Sequence, residues 1–419
     1  MSIGEFIDQL PIFDVHEHHM PATFLNRNVG LLDLLRQSYA GWTQERPYPL
    51  PSENREEDPM LTESAKSTWE EVAPYVEHSG SNHFVRNLVQ GLDELYDLAG
   101  QGITEKNWQT LDAAIRERHL DPNWPHEVMR RAGVREIVTD IYAAPLLNAK
   151  RELGDHYRSV MRINGLAMAW HQDRRDHNGN GVGYFADEVG MRCGTFADFC
   201  ILLERLVDTM EERNQVGLKN ALAYDRDIQF DEPDEDLARR AWGNPMASAE
   251  ERKAFGDFVV DRMCTLAGER DIPMQMHLGT AIIRGSHPLN VAGLIERHPK
   301  TRFLLMHLAY PWSAELLGMA FVYRNIWIDL TWSFLLSPSH FKRAFHEAIE
   351  VLPDESRMMM GGDNWHAEES FATFRTARNL IAEVLQEKID SNYFRLEQAQ
   401  GLAEKIFVTN AKSFFNVDS

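Results

Sequence analysis

Cysteine is scarce in this chain, with three in 419 residues at Cys193, Cys200 and Cys264. They are too few and too irregularly spaced for a disulfide framework or a thiolate zinc site. A reducing compartment is the expectation, with the thiols acting as small core hydrophobes. Long hydrophobic runs are missing as well: no stretch is long enough to cross a bilayer, and Met1 to Leu10 has neither the basic nor the apolar region of a leader. The expectation is therefore a cytoplasmic protein without a membrane partner. Basic blocks are also absent. The formal net charge is −21 and the Lys and Arg residues are scattered, which excludes the footprint of a nucleic-acid partner and favours solubility.

What is present is a 43% hydrophobic content interrupted throughout by charge, enough for a sizeable core. The reading is one domain, 1–419, with a helical insertion at 23–125 after the first strand. In that insertion Leu31, Leu32, Leu34 and Leu35 suit a short amphipathic helix. Phe84, Leu88, Leu92, Leu95 and Leu98 mark one face of another by their three- and four-residue spacing. Arg46 to Pro59, rich in Pro and charge, reads as a loop or arm.

From Gly133 onward, apolar runs of strand length alternate with helical segments. Strands are expected at Arg135 to Tyr142, Met161 to Trp170, Val216 to Ala223, Pro273 to His277, Phe303 to His307, Ile326 to Thr331 and Met358 to Gly361. Helices are expected at Phe196 to Asn214, Glu250 to Arg270, Leu289 to His298, Ser339 to Val351, Ser370 to Lys388 and Leu396 to Phe407. With the opening run Pro11 to Val15 the strands number about eight, which predicts an α/β fold, the (β/α)₈ TIM barrel.

The chemistry-bearing residues sit where such strands end. His16 and His18 are two positions apart, so on a strand they share a face and can grip one ion. His277, His307 and Asp363 close later runs, and barrels place reacting groups at the C-terminal ends of different strands. Imidazole nitrogen and carboxylate oxygen are zinc ligands, and a catalytic site keeps one position open. His16, His18, His277 and Asp363 form the expected metal set, with Asp363 and His307 as the acid/base pair. Trp312, Trp332 and Trp365 each follow a late strand and are candidates for an apolar pocket wall or for core packing. His366 and Glu369 follow Asp363, either to orient ligands or to begin a solvated helix. Asp176 to Asp187 imitates a calcium loop, but a plain Asn- and Gly-rich loop fits its flanks better.

Four segments carry a resemblance to the amidohydrolase superfamily: Asp14-Val15-His16-Glu17-His18, Gln275-Met276-His277-Leu278-Gly279, Met306-His307-Leu308-Ala309-Tyr310-Pro311-Trp312 and Gly361-Gly362-Asp363-Asn364. Gly217 to Arg226 is similar to the fourth strand of the amidohydrolase-like domains fused to glutamine synthetase in nodulin-like proteins. Asp225 here stands between Tyr224 and Arg226, where that pattern runs directly from Tyr to Arg. The branch in turn resembles uronate isomerases and the metal-dependent decarboxylases of the amidohydrolase-2 group. The resemblance implies a divalent metal, most simply one Zn²⁺. A second metal would need Lys219 as a carboxylated bridge; otherwise Lys219 pairs with a substrate carboxylate or a neighbouring acid. It also offers Arg226 as a carboxylate clamp and, with Trp312, as a substrate contact.

The function expected is metal-dependent hydrolysis, through activated water, of a C–N or ester bond in a small carboxylate-bearing substrate. Decarboxylation, uronate-type isomerisation and a noncatalytic binding or signalling domain are the alternatives, because fold and ligands alone do not choose among them. The helical insertion would serve a homo-oligomer or a lid.

Overall fold

The computed structural model describes residues 1–21, 24, 28–44 and 66–417, so the loop expected at 46–59 lies outside the described residues. Its strands are β1 (Ile12–Glu17), β2 (Val134–Thr139), β3 (Tyr157–Arg162), β4 (Gln215–Asn220), β5 (Met274–Met276), β6 (Phe303–Leu305), β7 (Ile326–Asp329) and β8 (Met358–Met359). They form one eight-stranded sheet in the order β1 to β8, and β3 to β7 pair in parallel. Helices separate the strands, which makes the fold a (β/α)₈ barrel.

The strands are shorter than the apolar runs that announce them. β5 and β6 have three residues each and β8 two, so His277, His307 and Asp363 lie just past strand ends, where the backbone is free to turn. One expected strand is corrected: Met161 to Trp170 divides into the end of β3 and a helical turn at Asn164–Ala167. An apolar run buried on every side does not distinguish the two conformations. The turn is fixed by Asn164, whose side-chain oxygen accepts from the Ala221 amide at 2.9 Å. Leu98 also falls outside its expected helix, which stops at Leu95 and turns through Asp97 with φ at 53°.

The chain divides into two compact units. The first holds Met1–Ile137, Leu330–Glu347 and Met359–Ala411. In it α1 (Leu31–Arg36), α2 (His83–Leu95), α3 (Trp108–His119) and α4 (Trp124–Arg131) follow β1, and α5 (Ala367–Asp390) follows β8. Leu31, Leu32, Leu34 and Leu35 join Val85, Leu88, Leu92, Leu111 and Ile115 in one apolar core. The second unit, Val138–Asp329 with Ala348–Met358 and the chain from Lys412, carries β3 to β7 and the helices between them.

Within the first unit, Glu368 in the first turn of α5 is buried and collects three donors. They are His119 Nε2 at 2.8 Å from α3, Trp124 Nε1 at 2.8 Å from α4 and Tyr96 Oη at 3.1 Å from the end of α2. Burial alone would raise this carboxyl, but the His119 cation and the hydrogen bonds from His119 and Trp124 hold it at about 2. Burial likewise opposes the His119 charge, and Glu368 outweighs it, so that imidazole sits above its usual 6.5. Removing one partner of such a pair leaves an uncompensated buried charge.

Two predictions follow from these contacts. A raised histidine value means that its stabilisation is complete below the unfolded value of 6.5 and is lost as pH rises through the folded value. The depressed value of Glu368 adds stability above 4.5 that is lost as pH falls toward about 2. Between pH 5.5 and 8.5, urea unfolding should therefore show the parent losing stability relative to His119→Gln, which has no such titration. Equal slopes would show that the pair is uncharged.

The second concerns Gly91 on α2, where an added Cβ would meet Ala372 Cβ of α5 at 2.5 Å. Gly91→Val should cost about 1–3 kcal/mol, read as a lower urea midpoint at constant m. Gly401, with nothing within 4 Å of its Cβ position, should gain about 0.5–1 kcal/mol as Ala.

Candidate metal centre

The first unit builds a histidine–aspartate cluster on β1 and the chain leaving β8. Every residue of β1 is buried. Asp14, His16 and His18 alternate onto one face, while Glu17 takes the other. The chain beyond β8 runs alongside: Val15 N donates to Met360 O at 3.3 Å, Asp363 N to His16 O at 2.8 Å and His18 N to Asn364 O at 2.8 Å. That seam accepts only glycine at two places. A Cβ on Gly361 would lie 2.6 Å from both Asp14 Oδ1 and His16 N, and one on Gly362 would lie 2.1 Å from Glu17 Oε1. The two carboxylates fasten the seam. Asp14 Oδ1 accepts from His16 N and Gly362 N at 3.1 Å each, and Glu17 accepts from the Asn364 backbone amide and side-chain amide. Burial first, and then the neighbouring Asp14 charge, holds the Glu17 carboxyl well above the ordinary range.

Fastened this way, Asp363 adopts φ of 67°, a left-handed conformation that Asp tolerates better than most residues but that still stores strain. Its Oδ1 lies 3.4 Å from His16 Nε2 and 3.2 Å from His18 Nε2. Three ligands at ~2.1 Å from one ion, at tetrahedral to octahedral angles, would stand about 3.0–3.4 Å apart, so this donor set fits a divalent metal. Tyr39 donates its hydroxyl to Asp363 Oδ2 at 2.7 Å, which leaves Oδ1 turned toward the imidazoles. Sequence patterning did not single out Tyr39. Glu369, pushed well above the usual carboxyl range by burial, accepts from the backbone amides of Tyr39 at 3.0 Å and Trp365 at 3.4 Å. It thereby positions the two rings that flank the histidines. Trp365 stacks on His18 at 5.6 Å, and Tyr39 packs on Trp365, Trp42, Phe84 and Trp332. Trp332 belongs to this aromatic wall. His366 is buried, and its Nε2 lies 3.1 Å from Gln37 Oε1. Burial lowers His366 to about 4, so it is a neutral packing partner in place of a solvated helix start.

The second unit carries its own strand-end cluster. The β3–β4–β5 register aligns Arg162, Lys219 and Gln275. Arg162 binds Asp140 through Nε at 2.9 Å and through Nη2 at 2.5 Å. Lys219 is buried with Nζ 2.6 Å from Met306 Sδ. His277 faces the Thr280 carbonyl through Nε2 at 3.1 Å, so that nitrogen carries the proton. Its Nδ1 then accepts from His307 Nε2 at 3.0 Å and from Tyr224 Oη at 3.3 Å. Burial, with the charges of His307 and Lys219, holds His277 well below 6.5, hence neutral. The pair is fixed from behind by Asp329, whose Oδ2 accepts from His307 N at 3.3 Å.

Two expected substrate contacts are engaged elsewhere in this unit. Arg226 donates to Asp257 Oδ1 at 2.8 Å and to carbonyls of Asp227, Lys253 and Gln229, so a carboxylate clamp there would have to displace Asp257. Trp312 is half-buried with its ring against His287 at 4.9 Å. In the Asn- and Gly-rich loop, Asp176 Oδ1 accepts from Asn178 N and Asn180 N at 2.9 Å each, while Asp187 is exposed on the helix Val182–Glu188. The loop closes on its own amides. The strand-end rule that found His277 would also have found Asp140 and Arg162, one at the exit of β2 and the other at the end of β3.

The family model described as amidohydrolase, Amidohydro_2, matches residues 202–417, more than half of the chain. The chain is 24% identical over 231 residues to protein fluG of Emericella nidulans, a match covering 50% of this chain and 27% of that protein. Its fold is similar to the uronate isomerase of Thermotoga maritima, with a TM-score of 0.76 at 15% identity, covering 99% of this chain and 96% of the other. It is equally similar to the glucuronate isomerase of Caulobacter crescentus, with a TM-score of 0.76 at 14% identity, covering 100% and 93%. At those identities the likeness is one of fold. With the family model matched over β4 to β8 and the histidine pair of β1 facing Asp363, the chain belongs to the amidohydrolase family.

Proposed function

We propose that this chain is a metal-dependent hydrolase that holds one zinc ion and cleaves a C–N or ester bond in a small carboxylate-bearing substrate. The observation that carries it is the approach of His16 Nε2 and His18 Nε2 to a single oxygen of Asp363. His277 is the proposed additional ligand, its Nδ1 exchanging the bonds from His307 and Tyr224 for the ion. When bound, zinc polarises a carbonyl and lowers the pKa of water toward about 7. The chain's own groups do the rest. Asp363 receives the proton of the attacking water on its carboxylate, with Tyr39 steadying Oδ2. His307, its backbone amide held by Asp329 and its Nε2 released from His277, hydrogen-bonds or protonates the developing charge on the departing group. Lys219, a buried ammonium, is the proposed partner of the substrate carboxylate, since a buried cation gains most from an anion. Trp312 is the proposed apolar contact. Arg226 contributes by holding Asp257.

A second reading, sugar-acid isomerisation, is supported by the names of the two full-length fold relatives. A panel of N-acyl amino acids and carboxylate-bearing esters, together with D-glucuronate, separates the readings. Hydrolysis adds water across the probe, isomerisation converts D-glucuronate without a change of mass, and released CO₂ would mark a decarboxylase. Metal content with no turnover of any probe would favour a binding domain.

The metal assignment predicts a graded series. His16→Ala and His18→Ala should lose zinc by elemental analysis and lose turnover. His277→Ala should lower the zinc stoichiometry, and an unchanged stoichiometry would remove His277 from the ligand set. Tyr39→Phe should keep the fold and lower zinc affinity by about 10- to 100-fold in chelator competition, because it removes only the group that orients Asp363. Full zinc content and activity in the His16→Ala/His18→Ala double variant would refute the proposal.

A further inference from the structure

In the first unit α2 and α5 meet at Gly91 and Ala372, and beside that contact they enclose, with the turn at Gly100 to Ile103, a cavity of about 620 Å³. That is the size of a small-molecule site. None of the residues lining it belongs to the histidine–aspartate cluster on β1 and beyond β8. Its wall at the turn is fixed by Asp93, whose Oδ2 accepts from Gly100 N and whose Oδ1 accepts from Gly102 N at 2.9 Å each. Both glycines take positive φ, 77° and 61°. The Asp93 carboxylate is therefore engaged in the turn. Arg375 on α5 is engaged as well, with Nη1 at 2.7 Å from Glu94.

What remains uncommitted around the cavity is one charge and a set of amides. Arg86 is exposed on α2 and has no acidic partner among the described residues. Asn87, the next residue, is 3% exposed, and its Oδ1 accepts from Thr376 Oγ1 of α5 at 2.7 Å. Its Nδ2 has no partner among the described residues, yet it is not sealed in the packing, so it opens on the cavity that Asn87 lines. A buried amide with idle donors costs free energy, and such groups are ordinarily paired. Gln90, Gln101 and Asn379 bring further side-chain amides to the same walls, none of them hydrogen-bonded to the described residues.

These groups define the occupant. A single free guanidinium matches a single negative charge, best in the planar two-oxygen form of a carboxylate. A phosphate dianion would call for a second free cation, and Arg375 is already paired. Primary amides both donate and accept, as hydroxyl groups do. We infer that this cavity is a binding site for a small monocarboxylate bearing hydroxyl groups. Its carboxylate lies on Arg86, and another of its oxygens accepts from Asn87 Nδ2. The site is separate from the metal centre and does not depend on the hydrolytic reading.

The test is calorimetric titration of the zinc-loaded full chain with D-gluconate, with D-sorbitol, the same carbon skeleton without the charge, and with inorganic phosphate. D-Gluconate should bind saturably, and D-sorbitol about tenfold more weakly or worse. Arg86→Gln, a change at an exposed position, should weaken D-gluconate by about tenfold or more. Asn87→Asp keeps an acceptor for Thr376 but puts an anion where the donors were, and it should abolish binding. The His16→Ala/His18→Ala variant should bind D-gluconate as the parent does. Circular dichroism checks each fold, and Arg86→Gln alone decides the matter should Asn87→Asp fail to fold. No saturable binding of D-gluconate at ~10 mM overturns the proposal. So does equal affinity for D-sorbitol, tighter binding of phosphate, or unchanged affinity in Arg86→Gln. Binding lost in the histidine variant but kept in Arg86→Gln would put the ligand at the metal centre and overturn it too.

Discussion

The contact on which the His16, His18 and Asp363 cluster depends is the seam between β1 and the chain leaving β8. The carboxyl groups of Asp14 and Glu17 fill the space where Gly361 and Gly362 would carry a Cβ, with the His16 amide also against Gly361, and the same carboxyl groups accept from the backbone amides of the seam. Asp14 and Glu17 stand on opposite faces of β1, so the seam is fastened from both sides. The consequence is positional. Asp363 cannot relax away from its left-handed backbone without breaking the bond from its own amide to His16 O. A carboxylate that would otherwise be set by a flexible loop is therefore set by the sheet, which is the precision that convergent ligation requires.

Strain recurs at the exits of the late strands. His307, Leu308 and Ala309 take φ of 63°, 48° and 47° after β6, and Trp332 takes 65° after β7. Apart from Ala99, the other described non-glycine residues with positive φ are Asp and Asn, which tolerate that region. A histidine, a leucine, an alanine and a tryptophan do not adopt it cheaply, at about 1–3 kcal/mol each. Such conformations persist where surrounding contacts over-determine them. The Asp329 carboxylate on the His307 amide and the aromatic packing around Trp332 are those contacts. The aromatic wall and the acid–base candidates thus share one origin, in tight turns taken directly off strand ends.

The fold was largely legible in the sequence because a parallel barrel writes its strands as separate apolar runs, each ending in chemistry. Seven of the eight runs correspond to strands, the run from Met161 catches only the last two residues of β3, and the leucine spacing at 31–35 and 84–95 corresponds to helices. What periodicity missed was conformation inside buried segments. Asn164 to Ala167 is apolar enough to read as strand, and only the Asn164 hydrogen bonds make it a turn. The histidines and Asp363 were found because a rule about position, at strand ends, singled them out. Tyr39 was invisible for the opposite reason: it sits in a short helical turn at Tyr39–Thr43, and nothing local says that its hydroxyl reaches residue 363.

The contrast between Arg162 and Arg226 shows why long polar side chains are the hardest to place from a sequence. Both follow apolar runs, and either could serve an anion. Arg226 is committed on every nitrogen to Asp257 or to backbone carbonyls, so its charge is consumed in joining the turn after β4 to the helix Ala249–Glu269. Arg162 gives two of its nitrogens to Asp140 and turns the third toward His177. A guanidinium so divided is neutralised enough to be buried, yet it keeps one donor directed at His177 Nε2. Because Asp140 lies at the exit of β2 and Asp225 after β4, that division exists only once strand order is fixed; the fold, more than the residue type, decides which arginine keeps a nitrogen directed at an imidazole.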